Sequence, residues 1–301
     1  MLPIIEGCAA SMLSELDQAT ITVVFNELAA LDETTDTNTQ LRGALTDTSL
    51  PGFVRASVLQ DVLAGKVNEV TSQLATYAIR VSPAQEANNS LHELAIFVET
   101  YHRDGVLPAA PLGLLAARSR VAGFADARLL RLTPSDMEQI EDDLFRWART
   151  VESNDELRRL VTDRDVTVTG RQAIVSSLLS GRVHPQALAI ALYVIEGGRA
   201  RDVVGTLDFL VDHVARARDW RVAKVHAAKD LTDAERADLA KALTSMSGHN
   251  VDLQIKIDPS LLAGVVVHIG DLRLDATTRG RLQSLKDALA VSRPAVFTAS
   301  N

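Results

Sequence analysis

Thr46-Asp47 recurs as Thr162-Asp163, a shift of 163 − 47 = 116, and the same shift aligns residues on both sides without a gap. Leu28 meets Leu144, Asn38 meets Asn154, Leu41 meets Leu157 and Arg42 meets Arg158. Further on, Arg55 meets Arg171, Leu63 meets Leu179, Gly65 meets Gly181, Val67 meets Val183, Tyr77 meets Tyr193 and Val98 meets Val214. Chance can match leucines between two amphipathic stretches, but not a glycine, a tyrosine and an arginine in one register. The chain therefore contains one structural unit twice, and a fold that cannot be built twice in tandem is excluded.

Each copy reads as a helical bundle. Ile21, Val24, Phe25 and Leu28 fall at helical spacing and form one apolar face, as do Met137, Ile140, Leu144 and Trp147 in the second copy. Leu41–Leu45 and Ser57–Leu63 follow, and Gly65 sits where a helix stop needs positive φ, with Gly181 in the same place of the second copy. Leu74–Val81 and Leu91–Tyr101 are echoed by Leu188–Ile195 and Val203–Ala217. Pro83 and Pro185 sit near helix starts, where a missing N–H costs little. Only 4% of the residues are aromatic against 47% hydrophobic overall, so the interior is aliphatic and suits helix on helix. A stretch from Gly105 to Pro111 reads as a linker, and Leu112–Phe124 opens the second bundle.

After residue 220 the pattern changes. Val222 and Val225 lie in an extended run, and Thr232 with Glu235 three residues on spells a capping box for a helix ending near Gly248. Val251, Leu253, Ile255 and Ile257 alternate with polar residues as a half-buried strand does. Val265–Ile269, a Gly270-Asp271 turn and Leu272–Leu274 read as a hairpin, and Thr277–Leu289 as a last helix before a polar tail from Ser292. The first two strands, joined by a helix, are expected to be parallel with a right-handed crossover if they pair directly. The expected fold is mainly α, with two tandem homologous bundles (1–110 and 111–220) followed by a small α/β domain (221–301).

Several classes of function find no support. The net charge of −8 disfavours nucleic acid, whose phosphates need a clustered positive field. Cys8 is the only cysteine, so no internal disulfide or zinc framework forms. No apolar run approaches the ~18 residues of a membrane span, and Met1–Gly7 lacks the basic lead of a signal peptide. The seven histidines are scattered, and Gly197-Gly198-Arg199 lacks the strand and the Lys-Ser/Thr of a phosphate loop, so it reads as a helix break. Glu141, Asp142 and Asp143 read as an acidic helix face, and Asp271 and Asp275 as turn and cap residues. No catalytic, cofactor or metal residues are assigned.

The last third resembles a known family. Leu231-Thr232, the run from Val251 through Asp258-Pro259-Ser260 to Ala263-Gly264, then Gly270-Asp271, Asp275 and Arg279-Gly280-Arg281 look like the C-terminal signature of ATP synthase delta chains. The mitochondrial counterpart of these chains is the oligomycin-sensitivity-conferring protein. Two positions depart from the pattern: Ala263 replaces the first of a Gly pair, and Asp275-Ala276-Thr277 stands for Asp-Gly-Ser. The likeness covers about residues 133–290, and the extra bundle resembles the longer delta chains of some bacteria.

The resemblance implies a non-catalytic stator at the cytoplasmic face of the plasma membrane, reaching the membrane only through partners. The bundle would hold N-terminal helices of the alpha subunits, and the C-terminal domain would meet the b subunit, supplied as a separate chain. Candidate groove residues are Leu114 and Leu115 with Leu207, Leu210 and Val214 in the second copy, and Leu91, Leu94 and Val98 (with Leu13) in the first. The family-motif residues are Asp258, Pro259, Gly264, Gly270, Asp271, Asp275 and Arg281. The alternative is a helical-repeat adaptor outside any ATP synthase.

Overall fold

A computed structural model describes residues 1–105, 112–163, 165–219, 222–247, 251–259, 261, 263–269 and 272–275. The fold is mainly α with a small C-terminal sheet, and it divides into two compact units, one spanning Met1–Arg218 and the other beginning at Asp219.

The first unit holds both copies. The first copy comprises α1 (Pro3–Leu13), α2 (Gln18–Thr37), α3 (Thr39–Leu45), α4 (Gly52–Leu63), α5 (Glu69–Val81) and α6 (Ala87–Asp104). The second comprises α7 (Leu114–Leu129), α8 (Pro134–Ser153), α9 (Asp155–Thr162), α10 (Val168–Leu179), α11 (Pro185–Gly197) and α12 (Val203–Asp219).

The 116-residue repeat extends to individual hydrogen bonds. Asp17 and Thr133 cap α2 and α8. Asn38 and Asn154 cap α3 and α9, each accepting from a backbone N–H at 3.0 Å, those of Leu41 and Leu157. Asp47 and Asp163 close matching turns by accepting from the N–H of Ser49 (2.8 Å) and Asp165 (2.9 Å). Asn68 and His184 cap α5 and α11, and their own N–H groups donate to a carboxylate on the second helix of the same copy, Glu27 of α2 and Asp143 of α8. Gly65 and Gly181 end α4 and α10 at φ +69° and +71°, the left-handed region that a Cβ disfavours.

Each copy also buries an arginine against carbonyls. Arg55 donates to Leu45 O (3.0 Å) and Ser82 O (2.7 Å), and Arg171 donates to Val161 O at 3.4 Å. Leu45 and Val161 lie at or near the ends of α3 and α9, where carbonyls are unpaired and the helix dipole is negative. Replacing either arginine with methionine keeps the stem and orphans these carbonyls. Denaturant melts should show Arg55→Met costing about 2–3 kcal/mol and Arg171→Met less, because Arg55 satisfies two carbonyls closely and Arg171 one loosely.

Each copy has its own aliphatic core. Leu28, Leu45, Leu59, Leu74 and Leu91 anchor the first, and Met137, Ile140, Val175, Ile190 and Leu207 the second. One tie differs between them. Phe25 of α2 stacks on His102 of α6 at 5.1 Å, whereas the matching pair in the second copy, Glu141 and Arg218, forms an ion pair at 2.9 Å.

In the second unit, β1 (Val222–Ala227), α13 (Asp233–Ser247), β2 (Asp252–Ile257), β3 (Val265–Ile269) and β4 (Leu272–Asp275) build a four-stranded sheet in the order β2-β1-β3-β4. β1 and β2 pair in parallel, Val225 opposite Ile255, as a crossover through a helix requires. Thr232 and Glu235 complete the capping box reciprocally, Thr232 N to Glu235 Oε2 at 2.8 Å and Glu235 N to Thr232 Oγ1 at 3.3 Å. β3 and β4 pair antiparallel with Ile269 opposite Leu272. The two turn residues between them, most of the stretch read as a linker, the last helix and the tail lie outside the described residues.

Candidate partner-docking surfaces

The first helices of the two copies, α1 and α7, cross at a pair of glycines. A Cβ on Gly7 would overlap the carbonyl oxygen of Arg120 and lie 2.7 Å from its carbon. A Cβ on Gly123 would overlap the carbonyl oxygen of Ile4 and lie 2.7 Å from that carbon. Gly7 and Gly123 match under the repeat, and so do Ile4 and Arg120. The contact is therefore self-complementary, as across a two-fold axis: the copies form a pseudo-dimer within one chain. The missing side chains let the helix backbones touch.

Side chains around this crossing tie the copies together. Asp126 of α7 accepts from the Tyr77 hydroxyl of α5 at 2.6 Å, and its other oxygen meets His213 Nε2 of α12 at 2.6 Å. Burial pushes the Asp126 carboxyl up, but the His213 hydrogen bond and charge, the Tyr77 hydroxyl and nearby Arg80 outweigh it, and the group ends below its ordinary value. Tyr77 is raised by burial and by the Asp126 charge. The position matching Asp126 in the first copy is Ala10, and Tyr193 instead stacks on Phe124, centroids 3.9 Å apart. Arg120 donates to the carbonyl of Gly197 from Nε (2.9 Å) and Nη2 (2.6 Å), capping the end of α11. Arg128 pairs with Glu15 and lies over the Phe124 ring.

Burial decides which groove residues are accessible. Leu91, Leu94 and Val98 lie in the core of the first copy, and Leu207, Leu210 and Val214 in that of the second, none more than 2% exposed. Leu13 is fully buried. Among the eight groove residues only Leu114 (39%) and Leu115 (79%), at the start of α7, face solvent. No residue of α1, and none of α7 after Leu115, is exposed. A helix laid along either first helix would have to part the copies.

An open groove lies elsewhere. In the second copy α8, α9 and α10 enclose about 530 Å³, floored by Trp147, Leu157, Leu160, Ile174, Leu178 and Val183. Leu160 and Leu178 keep 40% and 37% of their surface exposed. Charged groups stand at the rim: Arg146 pairs with Asp142 (3.2 Å) and Asp143 (2.6 Å), and Arg182 and Glu156 are exposed. Helical spacing did not single out this groove, because it falls between three helices. The sequence sign was the enlargement of side chains relative to the first copy at matching positions.

Of the family-motif residues, Asp258 follows β2, its N–H donating to Ala227 O at 2.8 Å and its carbonyl accepting from Leu261 N at 3.1 Å. Pro259 is exposed in the turn that follows. Gly264 adopts φ +92° just before β3, and its carbonyl accepts from Ala228 N. Asp275 ends β4 opposite Val266. Gly270, Asp271 and Arg281 lie outside the described residues. Among the described residues no helix is long and apolar enough to cross a membrane.

Comparison with known proteins bears on these surfaces. A family model described as ATP synthase delta (OSCP) subunit matches residues 129–289, the second copy from the end of α7 together with the C-terminal unit. The chain is 31% identical over 265 residues to ATP synthase subunit delta of Nocardia farcinica, covering 88% of each chain. It is 29% identical over 266 residues to that of Streptomyces griseus, again with 88% of each covered. With the protein of the same name from Corynebacterium aurimucosum it shares 28% identity over 289 residues, 93% of this chain and 97% of that one. Alignments of this length reach well into the first copy.

Proposed function

The chain belongs to the ATP synthase delta (OSCP) family, and from that premise we propose that it is a non-catalytic stator subunit, holding the catalytic head of an ATP synthase to its peripheral stalk. In this reading the helical unit binds N-terminal helices of the alpha subunits, and the C-terminal α/β domain binds the end of the b subunit. The complex sits at the cytoplasmic face of the plasma membrane, with this chain peripheral.

The observation that carries the reading is the self-complementary crossing of α1 and α7, which joins the two copies at backbone distance. A stator must transmit torque without slipping. Two helix backbones in direct contact deform less than a flexible linker does, and dispersed apolar contacts resist load better than exposed ion pairs, each worth about 0–1 kcal/mol. The apolar groove of the second copy has the form that helix-in-groove recognition uses.

The test is to titrate the chain with a synthetic peptide of the alpha-subunit N-terminus and, separately, with the soluble part of b. Saturable binding of both, with the alpha peptide gaining helicity, is the expected result. Binding of neither would leave the adaptor reading in its place.

A further inference from the structure

We propose that the second copy, not the first, holds the partner helix, in the groove between α8, α9 and α10, and that this helix carries an apolar stripe about three turns long with a carboxylate at the end facing Arg182. The proposal rests on the stator reading and specifies the site and the chemistry of its occupant.

The two copies agree in caps, turns, buried arginines and glycine stops, so where they differ on the surface the difference is informative. At the groove positions the first copy has Leu31 for Trp147, Ala44 for Leu160, Val58 for Ile174 and Val62 for Leu178. Each change enlarges the apolar side chain in the second copy. A bundle that needed only its own core would bury the added area; Leu160 and Leu178 instead leave more than a third of theirs in water.

Length and charge narrow the occupant. The groove follows α8 from Asp143 to Asn154, about 16 Å at 1.5 Å per residue, which seats roughly three turns. Its polar ends differ. Asp143 is committed to the His184 N–H and to Arg146. Among the described residues no carboxylate pairs with Arg182, which stands near that end, and no cation pairs with Glu156 near the other. A helix with an acid at one end and a base at the other fits in one direction only.

The experiment measures affinity of the full chain for the alpha N-terminal peptide, with Leu178→Asp, Leu160→Asp and Arg182→Glu in the second copy and Val62→Asp as the mirror change in the first. Val62 is as exposed as Leu178, at 38%, so each aspartate is tolerated in the free protein, and unchanged thermal melts check this. A charge placed in the seated apolar contact should weaken binding about tenfold or more for Leu178→Asp and Leu160→Asp. Arg182→Glu should weaken it several-fold, with an effect that shrinks as salt is raised. Val62→Asp should change it less than about twofold. Binding that survives both leucine changes, or that falls with Val62→Asp instead, overturns the site assignment and leaves the stator reading standing. Failure of the unmodified chain to bind the peptide overturns both.

Discussion

Gly7→Leu is expected to force the two copies apart. The atoms in the way are the backbone of α7 at Arg120, not the tip of a movable side chain. Overpacking a core usually costs 1–3 kcal/mol, and a clash with backbone belongs at the upper end, about 3 kcal/mol. For a unit of this size that lowers the melting temperature by roughly 6–12 °C. The sign of the alanine variant is the sharper test. Glycine inside a helix is about 1 kcal/mol worse than alanine, so Gly→Ala normally stabilises. Gly43 in α3 has nothing within 4 Å of an added Cβ, and Gly43→Ala should raise stability. Gly7→Ala and Gly123→Ala should lower it, and the two should not add, because once the crossing has opened the second change meets no obstacle.

The second large effect is expected at Asp126. Asp126→Ala leaves the Tyr77 hydroxyl and the His213 ring without the acceptor they share. Removing one member of a buried pair costs about 3–5 kcal/mol; with 23% of the Asp126 side chain still exposed, about 2 kcal/mol is the fair expectation. A double-mutant cycle with Tyr77→Phe should show coupling of about 1 kcal/mol. The pH dependence has a defined sign. The folded carboxyl sits below its ordinary value of 3.8, so the stabilisation is fully present above that value and is lost as pH falls through the lower, folded value. Acid melts should therefore separate the unmodified chain from Asp126→Ala at pH 5 and above, and the two should converge as pH falls through the lowered value of the folded carboxyl.

Much of the fold was legible because the repeat doubles every signal. Gly65 and Gly181 marked the stops, the Thr232-Glu235 spacing marked a helix start, and alternation from Val251 to Ile257 marked a strand. The docking of the copies is not legible in the sequence, although Gly7 and Gly123 stand in the same register. A glycine within a helix looks like a local weakness until the helix opposite it is known. The candidate groove shows the complementary limit. Leu91, Leu94, Leu207 and Leu210 have the spacing of an apolar face, but spacing cannot distinguish a face that the bundle itself consumes from one left for a partner. Leu160 and Leu178 sit at the meeting of three short helices, where no single period marks them.

The most direct measurement is affinity purification of the chain, tagged at its native locus and extracted in mild detergent, with subunit amounts determined by quantitative mass spectrometry. Recovery with the alpha and b subunits in a fixed ratio is the result a stator gives. Recovery without them, while the ATP synthase of the same cells assembles around a different delta chain, would contradict it.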